Sequence, residues 1–339
     1  MTKTTQVAAD RAHDEAKTVL PAEVARGVYI ENPPGAEALK LMHLMIGKAG
    51  GRMAEDVRHE LRLADIKKID GMRNHTRATL RKLFIELRGA VIVFDDAEEQ
   101  CEIIGGFLDQ AKLDYRHEVS SDLLVAFWFG RAFRDMAEKS CHWAILDRQT
   151  VFALSSKYSI LLFQHIASLM NLDHVANKTF TVAELRAVLG VQEGKLAAWN
   201  DMNKRALTPA IAEINQTSRM ILTATPNKIG RTVASVTITW AEKPQEAKQE
   251  AKRELDRPKV GRAARREGTA ETLVRAFPAS GGIEFDEHWK ALKRAAGCNM
   301  DNTMIAEKFR SWCASKGMAL DARTVEQAFS NFCAKVGRV

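Results

Sequence analysis

Apolar residues recur at helical or alternating spacing along two parts of the chain, one on each side of residue 150. In the first part, leucines spaced three and four apart predict amphipathic helices, and short apolar runs between turn formers predict strands. The helices predicted there are Ala38–Ala49, Leu63–Ile69, Thr76–Leu87 and Arg131–Lys139, and the strands are Ala90–Phe94, Glu102–Phe107 and Leu123–Phe129.

The second part repeats this order of helices and strands with a clearer pattern. Helices are predicted at Ser156–Met170, at Phe180–Leu189 with a Thr181/Glu184 capping box, and at about 198–216. Two alternating strands follow, Met220–Thr225 and Thr232–Trp240, with a loop of turn formers at 226–230. Three helices followed by a hairpin are the order of a winged helix, a helix-turn-helix variant with a β wing.

Pro209 falls inside the third helix of that second part. Proline lacks a backbone donor and collides with the preceding helical turn. Two outcomes are therefore open: a kink near Leu207, or a new helix with Thr208 as its cap and Pro209 in its first turn.

Segments outside these two parts have a different composition. Residues 1–35 are polar and end in Pro33-Pro34-Gly35, which predicts a flexible leader. Residues 242–271 contain no aromatic residue and carry nine Lys/Arg and seven Asp/Glu, which predicts a charged linker with a helical stretch at Gln245–Asp256. Residues 272–339 have helical patches typical of a small bundle, at Thr272–Phe277, Glu287–Ala296, Thr303–Lys316 and Arg323–Val336.

Overall composition is that of a globular protein, and it excludes several classes. The chain of 339 residues is 46% hydrophobic and 27% charged, with a net charge of +7. It has no apolar run long enough to span a membrane, and its N-terminal residues lack the apolar core of a secretory signal. The five widely spaced cysteines suit a reducing compartment, so we expect a cytoplasmic protein without membrane contact.

Charge is unevenly distributed. Residues 52–88 hold ten Lys/Arg against six Asp/Glu, residues 89–138 hold four against eleven, and residues 151–240 hold nine against five. Two basic blocks thus flank an acidic one. This pattern suits a chain that presents one face to a polyanion and another to a protein.

Sequence motifs of common enzymes are missing. The chain has neither the phosphate loop G-x-x-x-x-G-K-[ST] nor G-x-G-x-x-G, and its nine histidines form no H-x-H, H-E-x-x-H or H-x-x-x-H pair. The acidic run at 95–99 is better explained as a solvated turn than as a metal site. We therefore predict no catalytic residue, no metal ligand and no cofactor.

Candidate nucleic-acid contacts cluster in the second winged helix. Polar and basic residues at the start of the third helix suit base edges in the major groove, since asparagine pairs with adenine and Arg or Lys with guanine. Basic residues before that helix and on the wing suit phosphates. The candidates are Lys195, Asn200, Asn203, Lys204, Arg205, Thr208, Lys228 and Arg231.

A second basic stripe lies in the first part of the chain. Its residues are three to five apart, so they line one side of the helix Thr76–Leu87 and the turn before it. These residues either contact phosphates or form a solvated face, and both interpretations stay open. The role of residues 272–339, as a protein-docking module or an auxiliary DNA binder, is equally open. The stripe consists of Arg73, Arg77, Arg81 and Lys82.

Four motifs of the second half carry a family resemblance. SKYSILLFQHIASL, FTVAELRAVLGV, WNDMNKRALTPAIAEIN and GRTVASVTITW occur in this order, and the run Ala-x-x-Glu-Ile-Asn at 210–215 followed by the Gly-Arg of the wing is the most specific. The chain thereby resembles the replication initiators of iteron-containing plasmids, the theta-type Rep family. The resemblance covers 150–240 strongly and 36–149 more weakly.

The resemblance implies the fold and the function. The fold class is α+β and mainly helical: two tandem winged helices at 36–149 and 150–241, a charged linker and a small helical C-terminal domain. The first winged helix would serve dimerisation and contact phosphates in the monomer, and the second would read half of each iteron. Asn203 and Thr208 stand where some relatives are more basic, which puts the base preference in doubt.

The resemblance further implies partners. Monomers would bind repeated double-stranded origin sites, help open an adjacent AT-rich region, and recruit the host initiator and the replicative helicase. A dimer in equilibrium with the monomer would bind an inverted repeat and repress its own gene, and thereby help control copy number. Two alternatives are a winged-helix transcription regulator without a replication role and a helicase-loading or interaction scaffold; a DNA-cleaving enzyme is disfavoured by the missing motifs.

Overall fold

The computed structural model describes residues 2–336 except 13, 27, 97–98, 117–122, 171, 173–174, 267–275 and 323–324, and gives the backbone alone at 28–31 and 94–96. The chain forms two compact units, Met1–Lys259 and Val260–Val339. Both winged helices lie within the first unit.

The N-terminal segment is folded, so the predicted flexible leader at 1–35 is wrong. It forms α1 (Lys3–Asp10), β1 (Lys17–Pro21), α2 (Ala22–Arg26) and β2 (Val28–Glu31). Strand β1 pairs antiparallel with β8 (Trp143–Asp147), from Lys17 opposite Asp147 to Pro21 opposite Trp143. Its buried Val19 and Leu20 supply apolar surface that the polar composition of the segment as a whole conceals.

The first winged helix is built around α3 (Ala36–Ala49), which is buried on almost every side. A 3₁₀ turn (Gly50–Arg52) ends that helix. The sheet order is β3–β7–β6, and β4 and β5, which pair with β2 in a separate sheet, are inserted before the wing strands β6 and β7. The remaining elements are β3 (His59–Arg62), α4 (Leu63–Lys67), α5 (Arg77–Gly89), β4 (Val91–Asp96), β5 (Cys101–Gly106), β6 (Leu108–Asp114), β7 (Leu124–Phe129) and α6 (Arg131–Lys139).

The second winged helix repeats this topology without the inserted hairpin. A three-stranded sheet of order β10–β11–β9 covers the helices, just as β6–β7–β3 does in the first. Its elements are α7 (Arg148–Ala153), α8 (Lys157–Met170), β9 (Asn177–Thr181), α9 (Val182–Val188), α10 (Trp199–Met202), a π-helical turn (Asn203–Leu207), α11 (Thr208–Thr217), β10 (Met220–Ile229) and β11 (Thr232–Glu242).

The predicted helices of both halves are confirmed within a few residues, whereas several strands were missed. Strands β3, β8 and β9 each need a partner distant in sequence, so their short patterns gave no local signal, and β6 was missed although it pairs with the next strand, β7. The predicted loop at 226–230 is also wrong, because β10 continues through Pro226 to Ile229 and only Gly230 and Arg231 form the turn.

One continuous core joins the two winged helices. Helices α3 and α8 pack against each other at its centre, where His43 Nε2 lies 3.2 Å from Gln164 Oε1. Phe107, Phe127, Phe129 and Phe133 form an aromatic cluster on the first half, with neighbouring ring centroids 4.6 to 5.3 Å apart. The second half fills its part of the core mainly with aliphatic side chains.

The predicted charged linker at 242–271 is corrected over its first part. Gln245–Asp256 forms helix α12 as the charge pattern predicted, but this helix packs on α11 and α7 and buries Ala251 and Glu254. Residues up to Lys259 therefore belong to the first unit. Beyond them lies the short helix α13 (Arg262–Arg266), and residues 267–271 are outside the described part of the chain.

The second unit has its own core of aromatic and sulfur-containing side chains, centred on Phe277, Trp289, Phe309 and Phe329. Its helices are α14 (Glu287–Ala295), α15 (Asn302–Ser315) and α16 (Val325–Val336), close to three of the predicted patches. The fourth patch, Thr272–Phe277, is not helical at 276–277, and its other residues lie outside the described ones. Asp286 and Asp301 cap α14 and α15 by accepting backbone N–H bonds.

Candidate nucleic-acid interface

The helix predicted at 198–216 is one continuous helical run, here called the recognition segment (residues 199–217). It consists of α10, the π-helical turn and α11. The backbone stays helical at Leu207 and Thr208, so Thr208 is not a cap; its hydroxyl instead donates to Asn203 Oδ1 at 3.1 Å. The wider π turn precedes Pro209, whose missing N–H falls in the first turn of α11 where no partner is required.

Burial divides the recognition segment into two sides. Met202, Ala206, Leu207, Ala210 and Ile214 are almost completely buried in the core. The opposite side is exposed, and its residues come in adjacent pairs that repeat every four positions: Asn200 and Asp201, Lys204 and Arg205, Thr208 and Pro209. The helix thus presents polar and basic side chains to solvent from a rigid support.

Most of the predicted base-contacting residues lie on this exposed side. Asn200, Lys204, Arg205 and Thr208 are exposed, whereas Asn203 is half-buried and engaged with Thr208. Arg205 Nε lies 3.8 Å from Asp201 Oδ1, in an exposed pair that adds little stability. Asp201 was not among the residues predicted from the sequence, although its spacing of four residues from Arg205 is visible there. A carboxylate among bases can accept from cytosine N4, and it repels phosphate.

Lys195 lies in the loop between α9 and α10, and it is exposed. Arg186 on α9 holds this loop, because its guanidinium donates to the carbonyls of Lys195 and Leu196, the latter at 2.6 Å. Leu196 has a φ of +48°, an unusual value for leucine that these bonds support. No local pattern in the sequence indicates this role of Arg186.

A capping box fixes the start of α9, as predicted. The Glu184 N–H donates to Thr181 Oγ1 at 3.1 Å, and the Thr181 N–H donates to Glu184 Oε2 at 2.7 Å. The Thr181 hydroxyl also donates to Glu184 Oε2, at 2.9 Å, and the backbone and hydroxyl bonds that Thr181 donates lower the pKa of Glu184 below its ordinary value. Because Thr181 is also the last residue of β9, the box joins sheet to helix.

The wing is the hairpin of β10 and β11, and it presents Lys228 and Arg231 to solvent near its tip. Gly230 provides the positive φ, +62°, that the tight turn needs. A bulge lies between Asn227 and Lys228, and the Asn227 amide donates to Ser235 Oγ and Thr237 Oγ1 at 3.1 and 3.0 Å. The bonds of Asn227 order the strand immediately before Lys228.

The basic stripe of the first winged helix has a different setting. Arg73, Arg81 and Lys82 are exposed on α5 or the turn before it. Arg77 is half-buried, and its guanidinium carbon lies 4.3 Å from the centre of the Tyr115 ring, a cation–π contact. The structure thus leaves three of these four cations fully accessible, and the contact of this stripe with phosphate stays a prediction.

Within the described residues, no group of His, Cys, Asp and Glu side chains could hold a metal ion. No helix in that part of the chain is long and apolar enough to cross a membrane.

Two family models match successive parts of the chain. The model described as "Initiator Replication protein, WH1" matches residues 30–167, and "Initiator Rep protein, WH2" matches residues 181–240. Together they cover more than half of the chain: the first match spans the first winged helix and continues through α7 into α8, and the second spans the rest of the second winged helix from the end of β9 to β11. A comparison with curated proteins found no match.

One solved structure has the same fold. The Pi initiator protein, crystallised in complex with iteron DNA, matches with a TM-score of 0.51 and 16% identity, over 68% of this chain and 99% of the other. Domains 2 and 3 of RctB match with a TM-score of 0.37 and 11% identity, over 61% and 80%, a similarity too low to compare folds.

The fold and both matches define the class: a DNA-binding protein with two tandem winged helices that initiates replication. The chain belongs to the initiator Rep protein family, the replication initiators of iteron plasmids. The family and the fold class predicted from the four sequence motifs are thereby confirmed.

Proposed function

We propose that this protein initiates plasmid replication by binding directly repeated double-stranded origin sites as a monomer. The second winged helix reads bases through Asn200, Asn203, Lys204, Arg205 and Thr208. Phosphate contacts come from Lys195 and from Lys228 and Arg231 on the wing. Bound copies promote opening of an adjacent AT-rich region and recruit the host initiator and the replicative helicase in the cytoplasm.

One observation carries this proposal: the recognition segment is buried on one side and exposes Lys204, Arg205 and Thr208 on the other. Because its apolar side is packed in the core, the helix keeps the same orientation when DNA binds. Arginine and lysine on such a helix recognise guanine O6 and N7, and each good pair is worth about 1–3 kcal/mol of discrimination.

The first winged helix serves a second purpose in this proposal. In the monomer its exposed Arg73, Arg81 and Lys82, with Arg77, grip phosphates near the reading domain. Two such modules can enter successive major grooves on one side of the duplex, about 34–36 Å apart. In the dimer this domain forms the protein–protein contact, and the dimer represses its own gene at an inverted repeat.

Fluorescence anisotropy tests the function. The full chain is titrated onto duplexes from the DNA flanking its gene, which contain directly repeated sites, and onto scrambled duplexes of equal composition. Measurements are repeated over a series of salt concentrations. We expect a preference of about 10³ or more for the repeats, with affinity falling steeply as salt rises.

Other outcomes separate the alternatives. Equal affinity for both duplexes would contradict sequence-specific reading and leave a basic protein that binds DNA generally. No binding at low salt would favour an interaction scaffold. Specific binding without unwinding of a neighbouring AT-rich duplex, checked by permanganate reactivity, would favour a transcription regulator.

A further inference from the structure

The first strand of the wing, β10, begins beside the end of the recognition segment. Side chains there form hydrogen bonds with the backbone along the outer edge of β10. The Asn215 amide nitrogen of α11 donates to the Leu222 carbonyl at 2.9 Å, and the Leu222 N–H donates to Asn215 Oδ1 at 2.7 Å. This pair of bonds is what a neighbouring strand would supply. Asn215 therefore joins the recognition segment directly to β10.

Two further residues complete this junction. The Ser218 hydroxyl bonds both the N–H and the carbonyl of Met220, each at 3.2 Å. The Lys243 ammonium, at the end of β11, donates to the carbonyls of Ser218, at 2.8 Å, and of Asn215. These carbonyls lie at the C-terminal end of α11, where backbone acceptors lack helical partners and a cation is favoured.

Several residues of this junction are buried, so water competes less for its hydrogen bonds than for those on the surface. Lys243 is only 9% exposed, and Ser218 and Met220 are buried. Burial lowers the pKa of Lys243 below its ordinary value. Hydrogen bonds shielded from water hold their geometry better than exposed ones, because solvent does not compete for the same groups.

We propose that Asn215, Ser218 and Lys243, the wing anchor, are positioning residues that set the angle between the recognition segment and the wing. Through this angle they place Lys228 and Arg231 on phosphates while the recognition segment contacts bases. This inference rests on the proposed function of the second winged helix. It explains Asn215, the last residue of the Glu-Ile-Asn run at 213–215, as a geometric requirement of DNA binding.

The length of the wing makes that angle critical. Strand β9 supports β11 only from Ser235 to Thr239, so the tip of the hairpin is two-stranded. From Leu222 to Ile229 the chain advances by about 23 Å at about 3.3 Å per residue. A tilt of about 10° at the anchor then moves the tip by about 4 Å, more than the length of a hydrogen bond.

The test is a comparison of salt dependence between the wild type and Asn215→Ala. Anisotropy is measured on the origin repeat over a salt series. We expect the slope of log K against log salt to flatten by about two units, since each lost phosphate contact contributes about 0.9. Thr223→Ala, an exposed position on β10, is the matched control and should keep the wild-type slope.

A double-mutant cycle distinguishes positioning from general damage. In the background Lys228→Ala/Arg231→Ala the wing contacts are already missing, so Asn215→Ala should cause less than a twofold further loss. Equal losses in both backgrounds would overturn the proposal. So would an unchanged slope in Asn215→Ala alone, or wild-type affinity in the Lys228→Ala/Arg231→Ala variant.

A second variant distinguishes the loss of a hydrogen bond from misfolding. Asn215→Asp keeps the acceptor for the Leu222 N–H but removes the donor to the Leu222 carbonyl, so its slope should lie between those of the wild type and Asn215→Ala. Hydrogen exchange at the Leu222 amide should accelerate in Asn215→Ala without DNA, and unchanged exchange would contradict the anchor. Failure of the proposed function is visible separately, since the wild type would then show no preference for the repeat.

Discussion

The two winged helices share one topology but connect the third helix to the wing differently. In the second, α11 is followed directly by β10, and Asn215, Ser218 and Lys243 tie the two together. In the first, β4 and β5 separate α5 from β6. There the corresponding link is a bond from exposed Arg88 to the Asp109 carbonyl at 3.1 Å.

In the proposed function, this difference lets one fold serve two tasks. A domain that reads bases needs its helix and wing at a fixed angle, because base and phosphate contacts must form together. A domain that contacts phosphates and protein can accept an inserted acidic hairpin instead. Four predictions test this comparison, from the largest expected effect to the smallest.

The largest effect is expected in the aromatic part of the shared core. Phe129→Ala removes a buried ring that packs against Phe107, Phe127 and Phe133, and should lower the free energy of unfolding by about 3–5 kcal/mol. Urea denaturation measures the change. Ile104→Ala, at a position 62% exposed on β5, should cost less than about 0.5 kcal/mol. Similar losses at both positions would contradict the description of this core.

Acid should destabilise the fold through two buried histidines, one from each winged helix. Burial lowers the pKa of His43 to about 4 and of His165 to about 3, with nearby Arg148 acting on the first and Lys178 and Arg26 on the second. Since the unfolded chain takes up protons near pH 6.5 and the folded one does not, stability is complete above that pH and falls below it. Between pH 7 and pH 5 each histidine should cost about 1–2 kcal/mol.

Urea midpoints at pH 7, 6 and 5 measure this loss. Within the described residues His165 Nε2 has no hydrogen-bond partner, so His165→Leu removes the titrating group without breaking a bond at that nitrogen. The variant should lose the part of the acid sensitivity that His165 contributes, about 1–2 kcal/mol between pH 7 and pH 5. A variant that is as acid-sensitive as the wild type would exclude His165 as a source of the effect.

Base reading should be confined to the second winged helix. Arg205→Ala should weaken binding to the repeat by about 1–3 kcal/mol and relax the preference at one base pair. Arg81→Ala, its counterpart on α5, should weaken specific and scrambled duplexes alike. Competition binding with single-base variants of the repeat measures both. An equal loss on scrambled DNA for Arg205→Ala would exclude a base contact.

The smallest expected effect concerns the wing. Lys228→Ala should weaken binding to all sequences alike and flatten the salt slope by about one unit, since a single phosphate contact is lost. Sequence preference at each base pair should stay as in the wild type. The same anisotropy series measures the slope, and an unchanged value would remove Lys228 from the phosphate contacts.

Local patterns in the sequence were sufficient for the helices and for the polar side of the recognition segment. Residues 157–170 and 77–89 have apolar positions at helical spacing, and the Thr181/Glu184 box and Gly230 need only their neighbours along the chain. Lys204, Arg205 and Thr208 could be selected because the spacing of four residues that exposes them is itself local. These features depend on interactions within about one helical turn.

Only the tertiary structure decided the rest. Strand β1 looked like part of a leader until β8, more than a hundred residues away, provided its partner. Helix α12 looked like a linker until α11 and α7 covered its apolar side. No local pattern indicated that the amide of Asn215 would form the hydrogen bonds with Leu222 that a neighbouring strand would otherwise form. Each of these depends on groups brought together by chain folding, and the pattern of one segment does not contain the identity of its distant partner.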